Sequence, residues 1–299
     1  MNTEQSHETG RVAPPSTAHP QRRTATTWVK ALVVVTYVAM IAVNALANAL
    51  PINGRTTGGV SDAYPNLFAP AGLTFSIWGV IYLLLGLHVL YQLGLFRGSD
   101  TSDRSGLLNR VGVLFSATSV ANVSWILAWH YDLIGLSTVL LATMLVLLIV
   151  ITRTILGADL STRERLLVRL PFSVYFGWIT VATIANITVW LVSVGWNGFG
   201  ISDATWAVII IAVGAIIGTA VILRDRDIAY GLVFVWAYLG ITIKHLSAAG
   251  FDGDYPQVIT TALIGIAAFV AAAVIVLLRR RARSAHAQSP RESLSTGTR

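Results

Sequence analysis

Aromatic side chains recur at helical spacing within an apolar segment of this 299-residue chain. Phe75, Trp78 and Tyr82 lie three and four positions apart, so that in a helix their rings would share one face. Flat rings stack on flat, apolar molecules, and a few polar groups beside them can fix the orientation of such a ligand. The pattern therefore indicates a binding site for a small hydrophobic molecule.

Three further apolar segments carry stripes of amide, hydroxyl or aromatic side chains. The stripes contain Asn44 and Asn48, then Thr118, Asn122, Trp125 and Trp129, and finally Tyr175, Trp178, Ala182 and Asn186. Two interpretations stay open. Polar and small residues can fasten membrane helices to each other, and tryptophans near segment ends can anchor at the lipid interface. Alternatively, the stripes converge on an intramembrane pocket, which the mid-segment positions of Trp78, Trp125 and Trp178 favour.

Other kinds of chemistry find no support in the residue types. The chain has no cysteine, which excludes disulfides, thiolate catalysis and cysteine-ligated metals. The six histidines are scattered without metal-ligand spacing, and the sequence contains no HExxH motif, P-loop or dinucleotide fingerprint. No aspartate or glutamate falls in the middle of an apolar segment. We therefore predict no catalytic residues and no metal site, and a protein that is not an enzyme.

The elements that position these stripes are predicted to be membrane-spanning helices. Hydrophobic residues make up 55% of the chain and charged residues 12%, about half the ~25% typical of soluble domains. Apolar stretches of roughly 20 residues suffice to cross a bilayer, and the backbone there must be helical to satisfy its own hydrogen bonds. The predicted fold is an all-α, polytopic bundle of about eight helices, at residues 28–49, 70–95, 107–130, 133–156, 166–195, 204–223, 228–247 and 257–279.

The distribution of basic residues predicts the orientation in the membrane. If the first span starts in the cytoplasm, every basic residue except Arg55 and Lys244 lies on the cytoplasmic side, as the positive-inside rule requires. Both termini are then cytoplasmic, in what we predict to be the cell (plasma) membrane. The net charge of +7 is expected to face lipid headgroups, and no nucleic-acid partner is predicted. We expect Lys244 to reach outward towards Asp252 and Asp254.

The chain ends and the first connecting segment carry separate predictions. Residues 1–27 and 282–299 are predicted to be disordered tails, the second of them basic. The first apolar run ends in a sequence that resembles a signal-peptide cleavage site, but its length favours an uncleaved helix. The connection "PINGRTTGGVSDAYPN" is long enough to act as a lid or to be a mobile loop. His130 and Asp132 are expected to be solvated in a tight turn.

Three of these segments contain motifs of a known family. "FAPAGLTFSIWGVIYLLLG" resembles the signature of the tryptophan-rich sensory protein family, also called translocator protein or TspO/MBR. "ANVSW" and "LPFSVYFGWITVATIAN" resemble the family's motifs on its third and fifth helices. The sequence departs from the family pattern at Phe68, which replaces a tryptophan, and at Ala71, which breaks a proline pair. The resemblance covers roughly residues 28–195.

This resemblance implies a fold and a function. It implies a five-helix core at residues 28–195, which leaves residues 196–281 as a three-helix extension outside the pattern. Family members bind porphyrins, haem-like tetrapyrroles and, in some cases, sterols in an intramembrane pocket. The implied function is a membrane receptor, sensor or carrier for such a ligand; the alternative is a secondary transporter of a small apolar or amphipathic solute.

The resemblance also implies the site and its partners. No cofactor is required, although a bound tetrapyrrole or lipid is expected. The implied partners are membrane lipids and a small hydrophobic ligand, with a homodimer as a further option. The residues carried over as ligand-binding are Phe75, Trp78, Tyr82, Asn122, Trp125, Trp178, Ala182 and Asn186.

Overall fold

The computed structural model describes residues 25–50, 52–96 and 104–292, with side chains described as far as residue 282. The parts of the predicted tails at residues 1–24 and 293–299 lie outside these ranges. All regular structure in the described residues is helical. The helices are α1 (Thr27–Ala49), α2 (Thr57–Asp62), α3 (Ile77–Leu93), α4 (Ser105–His130), α5 (Ile134–Leu156), α6 (Thr162–Glu164), α7 (Leu170–Ser193), α8 (Asp203–Asp225), α9 (Ile228–Leu246) and α10 (Pro256–Glu292).

Eight helical stretches in the described residues are long and apolar enough to cross a membrane, which confirms the predicted polytopic helical bundle. They include every helix except the short α2, with α6 forming the start of a longer stretch, Thr162–Ser193. The second stretch begins at Gly72 because a 3-10 turn, Gly72–Ser76, leads directly into α3. The chain is therefore an integral membrane protein.

The helix neighbours show how the last three spans join the first five. Helix α4 packs between α1 and α5, α5 packs on α7, and α3 contacts both α1 and α7. Helix α9 packs on the far side of α7, and α10 covers α8 and α9. Gly177 makes the α7–α9 contact possible, since a Cβ there would lie 3.0 Å from the backbone oxygen of Tyr230. Helix α7 is thus the junction of the bundle.

Ion pairs hold the helix ends together at the basic end of the bundle. Asp225, the last residue of α8, accepts a hydrogen bond from Arg153 Nη1 on α5 at 2.6 Å. Arg169 Nη2 donates to the backbone oxygen of Asp225 at 2.9 Å, and Asp227 caps α9 by accepting from the Tyr230 amide at 3.1 Å. These contacts fasten the α8–α9 turn to α5 and to the start of α7.

One predicted boundary differs from the structure. The last helix continues to Glu292, whereas the last predicted span ends at residue 279 and the predicted disordered tail begins at residue 282. The segment beyond Arg281 begins with alanine and arginine, which have high helix propensity and can extend a helix past the hydrocarbon. The helix therefore continues beyond the apolar part that could span the membrane, Pro256–Ala282.

The orientation can be tested with single cysteines, because the chain has none of its own. Ala249 and Arg163 are exposed and lie in connections at opposite ends of the bundle. We expect a membrane-impermeant maleimide to label Ala249→Cys in intact cells, and to label Arg163→Cys only after permeabilisation, because positive loops stay in the cytoplasm. The reverse labelling pattern would contradict cytoplasmic termini.

Candidate functional site

The predicted aromatic residues of α3, α4 and α7 meet around Trp78. Its ring lies 5.4 Å from that of Tyr82 and 5.8 Å from that of Trp125, and both pairs are stacked. Trp178 packs edge-on against Trp78, with the ring centroids 6.2 Å apart. Phe75 makes a similar edge contact with Trp178 at 6.1 Å. The three stripes therefore face each other inside the bundle, and their large rings do not point to the lipid.

The centre of this aromatic cluster is nearly filled. A cavity of about 50 Å³ remains, lined among others by Trp78, Trp125, Trp178, Ala182 and Asn186. One water molecule occupies about 30 Å³ in the liquid, so this space holds a water or a single ligand substituent. It is far too small for a tetrapyrrole ring.

A larger cavity of about 490 Å³ lies on the other side of Trp78, between α1, α2 and the Gly72–Ser76 turn. Phe75, Trp78 and Tyr82 line this large cavity, and its volume is within the range of small-molecule sites, about 300–1,000 Å³. Its other lining residues are Asn44, Asn48, Thr56, Thr57, Gly58, Gly59, Asp62, Gly72, Ser76 and Ile126. The available volume thus lies beside α1 instead of between α4 and α7.

Asn122 lines neither of these two cavities. It is fully buried, accepts a hydrogen bond from Asn44 Nδ2 at 2.7 Å and donates one to the Tyr175 hydroxyl at 3.3 Å. These bonds join α1, α4 and α7. Asn122 therefore fastens helices, the role described by the first of the two sequence interpretations.

Asn186 has a similar fastening role on α7. Its Oδ1 accepts hydrogen bonds from Thr138 at 2.7 Å and from Ser137 at 3.0 Å, both on α5. Its neighbour one turn back, Ala182, leaves part of the space that forms the small cavity. Of the eight predicted residues, Phe75, Trp78 and Tyr82 line the large cavity, and all but Tyr82 and Asn122 line the small one.

Two indole groups beside the small cavity have unused donors. The Nε1 atoms of Trp125 and Trp178 are buried, and neither has a hydrogen-bond partner among the described residues. A buried donor without an acceptor costs about 1–3 kcal/mol. A water or an acceptor group of a ligand in the small cavity would relieve this cost.

Helix α2 covers the large cavity and is bonded to α4 and to α9. The backbone oxygen of Thr57 accepts a hydrogen bond from Trp129 Nε1 on α4 at 3.1 Å. Lys244 Nζ on α9 contacts Asp62 Oδ1 at 2.9 Å. The expectation that Lys244 reaches Asp252 and Asp254 was wrong, because the folded connection brings Asp62 within its reach.

The turn after α4 was also misjudged from the sequence. His130 is fully buried instead of solvated, because the first connection folds over it. Its Nε2 contacts the Thr57 hydroxyl at 3.2 Å, and its backbone oxygen accepts from Asn53 Nδ2 at 2.9 Å. Asp132 forms an ion pair with Arg55 in the same connection. The first connection is thus fixed by specific contacts and covers the site.

Helix α9 supports the turn that carries Phe75, a contribution that the stripes on the first five spans do not reveal. The Trp236 indole donates a hydrogen bond to the backbone oxygen of Thr74 at 2.9 Å. The Ala71 backbone amide donates to the backbone oxygen of Gly240 at 3.0 Å. A Cβ on Gly240 would overlap the Thr74 side chain, so only glycine permits this approach. Helix α9 therefore helps to position the site.

Comparison with known proteins agrees with this arrangement. A family model described as TSPO-like protein matches residues 30–276. The chain belongs to the TSPO-like protein family. Membership suggests a membrane sensor or binding protein, and the family is generally non-enzymatic. No curated protein and no solved structure matches the chain.

The extent of the family match corrects one prediction. It confirms the suspected family but continues through the last three spans, so the prediction that the resemblance ends near residue 195 was wrong. The contacts of α9 with Thr74 and Ala71 give a physical reason for this extent, because α9 holds in place the turn that leads into α3.

The fastening role of Asn122 can be measured as stability. We expect Asn122→Ala to lower the free energy of unfolding in detergent by about 0.6 kcal/mol and at most about 1.7 kcal/mol, the average and the maximum measured for interhelical hydrogen bonds in a membrane protein. Ser124→Ala is the matched control, since the exposed Ser124 hydroxyl bonds only to its own helix. Thermal unfolding followed by circular dichroism reports the difference. Equal stability of both variants would contradict this role.

Proposed function

We propose that this TSPO-like protein binds a flat hydrophobic ligand, such as a porphyrin or a haem-like tetrapyrrole, as a membrane sensor or carrier. The observation that supports the proposal is the large cavity of about 490 Å³ against the rings of Trp78 and Tyr82. These two rings are stacked with 25° between their planes, so they form one nearly continuous aromatic wall. A flat ligand can stack on such a wall.

The rest of the lining indicates an amphipathic ligand. Opposite the aromatic wall, α1 contributes Asn44 and Asn48, and the α2 region contributes Thr56, Thr57 and Asp62. The Asn44 side-chain amide is already bonded to Asn122 and to its own helix, and the Thr57 hydroxyl contacts His130. The Asn48 side chain donates to the Asn44 backbone and the Thr56 hydroxyl accepts from the Gly59 amide, so the Asn48 side-chain oxygen and the Thr56 hydroxyl hydrogen are the more available polar groups. The ligand would place its flat face on α3 and its polar edge towards α1 and α2.

Helix α2 is suited to admit such a ligand. The contact between Lys244 and Asp62 is partly exposed, and exposed ion pairs contribute only about 0–1 kcal/mol. The end of α2 at Asp62 could therefore lift at low cost, while Thr57 at its start stays bonded to Trp129. Entry would take place from the end of the bundle that holds the first connection, which we propose is the extracytoplasmic side of the cell membrane.

Sensing and carriage make different demands on the same site. A sensor needs only binding and a response, whereas a carrier must release its ligand on the other side of the membrane. Ligand flux into proteoliposomes containing the protein would support carriage. Binding without flux would support sensing. The homodimer stays a prediction that bears on neither outcome.

Trp78 is the residue whose replacement tests the proposal. We expect Trp78→Leu to weaken protoporphyrin binding about tenfold, which corresponds to about 1.4 kcal/mol, because leucine provides no ring to stack on the ligand. Titration of the purified protein in uncharged detergent, followed by porphyrin absorbance, measures the affinity. The matched control is Trp28→Leu, since Trp28 is 61% exposed and distant from the cavity lining.

A second aromatic variant controls for possible misfolding of Trp78→Leu. Trp78 also contacts Trp125 and Trp178, so its loss could disturb the bundle, whereas Tyr82 lines the large cavity at the edge of the cluster. Tyr82→Leu should weaken binding in the same direction with a smaller effect on thermal stability. Wild-type affinity in both folded variants would overturn the proposed location.

The charge of the lining makes a further prediction about the ligand. The residues that line the large cavity include Asp62 and, within the described part of the chain, neither lysine nor arginine. We expect protoporphyrin dimethyl ester to bind at least as tightly as the free diacid, because no cation of the lining offsets the cost of removing the diacid's carboxylates from water. Much tighter binding of the diacid would mean that a cation reaches the ligand, and Lys244→Met would identify whether it is Lys244.

A further inference from the structure

A second outer cavity of about 400 Å³ lies at the same end of the bundle as α2 but shares no lining residue with the large cavity. We call it the outer aromatic cavity. It is enclosed by the end of α7, the start of α8, residues 65–68 and the connection before α10. Phe68, the first residue of one family motif, lines this cavity, but Trp78, Trp125 and Trp178 do not. Its chemistry is therefore independent of the proposed porphyrin site.

Aromatic rings form two walls of the outer aromatic cavity. Trp196 and Trp206 are in contact on one side, with ring centroids 5.0 Å apart and 57° between the planes. Phe251 and Tyr255 meet edge-to-face on the other, at 5.5 Å and 87°. Aromatic faces carry negative electrostatic potential, and rings that surround a space from different directions are the usual receptor for an organic cation.

A carboxylate completes this lining. Asp203, in the first turn of α8, is exposed and lines the outer aromatic cavity. It makes no ion pair with any residue in the described part of the chain. The lining contains neither lysine nor arginine, again among the described residues. A ligand that enters this space therefore meets one carboxylate without an ion-pair partner in the described residues and several aromatic rings.

The wider charge distribution at this end of the bundle has the same sign. Its basic side chains, Arg55 and Lys244, are each engaged by an aspartate, Asp132 and Asp62 respectively. Asp252 and Asp254 are exposed in the connection that carries Phe251 and Tyr255, and they have no ion-pair partner in the described residues. The field around the outer aromatic cavity is thus negative and attracts cations from solution.

We propose that the outer aromatic cavity binds an organic cation with an apolar body, such as an aryl or alkyl quaternary ammonium. The cationic head would lie between the rings of Trp196 and Trp206 and the Asp203 carboxylate. The apolar body would extend towards the aliphatic part of the lining, where Leu191, Val192 and Ile210 lie. A neutral apolar molecule would use these aliphatic contacts but would gain nothing from Asp203.

A pair of isosteric probes separates charge from shape. Benzyltrimethylammonium and neopentylbenzene have nearly the same size, but only the first is charged. Calorimetric titration of the purified protein in an uncharged detergent should show tighter binding of the cation. Asp203→Asn should weaken the cation by about 5- to 30-fold and leave the neutral probe unchanged. The control is Asp159→Asn, the same change at an exposed position at the opposite end.

Trp196→Leu provides the second arm of the test. It removes a ring and keeps an apolar side chain, so the cation should lose more affinity than the neutral probe. Equal affinity of the two probes for the wild-type protein, or cation binding unchanged in Asp203→Asn, would overturn the proposal. So would an equal loss in Asp159→Asn, which would indicate an unspecific surface effect.

Two further measurements identify the source of the cation and keep the two sites apart. A choline headgroup of a lipid offers the same chemistry as a free ammonium compound. Competition by glycerophosphocholine would identify a lipid headgroup as the source of the cation. Lack of competition would identify a free cation, and both results support a cation site. Protoporphyrin affinity should stay unchanged in Asp203→Asn, so failure of one site leaves the other standing.

Discussion

A polar side chain inside a bilayer must find its partner within the protein, because the hydrocarbon offers none. This constraint determines where the amides of this chain point. Asn122 joins Asn44 to Tyr175, and Asn186 binds two hydroxyl groups of α5. The Asn122 side-chain amide and the Asn186 side-chain oxygen are engaged by these bonds and are not free to bind a ligand. The volume for a ligand is therefore found where aromatic rings face a surface connection.

The same constraint explains why the first connection and α9 support the candidate site. The connection brings backbone groups over the ends of the helices, and these groups need donors and acceptors of their own. Helix α4 supplies Trp129 and His130, and α9 supplies Trp236 and the backbone of Gly240. Helix α2 is thus held by α4, and the turn that carries Phe75 is held by α9. A core of five helices alone would leave half of these contacts unmade.

Composition and periodicity predict the spans and the faces of the stripes, because both follow from local properties of the chain. Burying about 20 apolar residues dominates the free energy of each span, and a period of 3.6 residues fixes which side chains share a face. A cavity has no such local signature. It forms where side chains do not fill the space between helices that are far apart in sequence. The pair of Lys244 and Asp62, separated by 182 positions, is unpredictable for the same reason.

The two ends of the bundle differ in charge and in how their carboxylates are paired. At the basic end, Glu164, Asp225 and Asp227 are buried and lie within 4.0 Å of arginines. At the other end the positive-inside rule leaves few cations, and the structure uses them to fasten the first connection. The remaining carboxylates there face water without partners in the described residues. The two proposed binding sites at that end consequently differ by how far each lies from an unpaired carboxylate. The large cavity, whose Asp62 is neutralised by Lys244, suits an uncharged aromatic face, whereas the cavity beside Asp203 suits a cation.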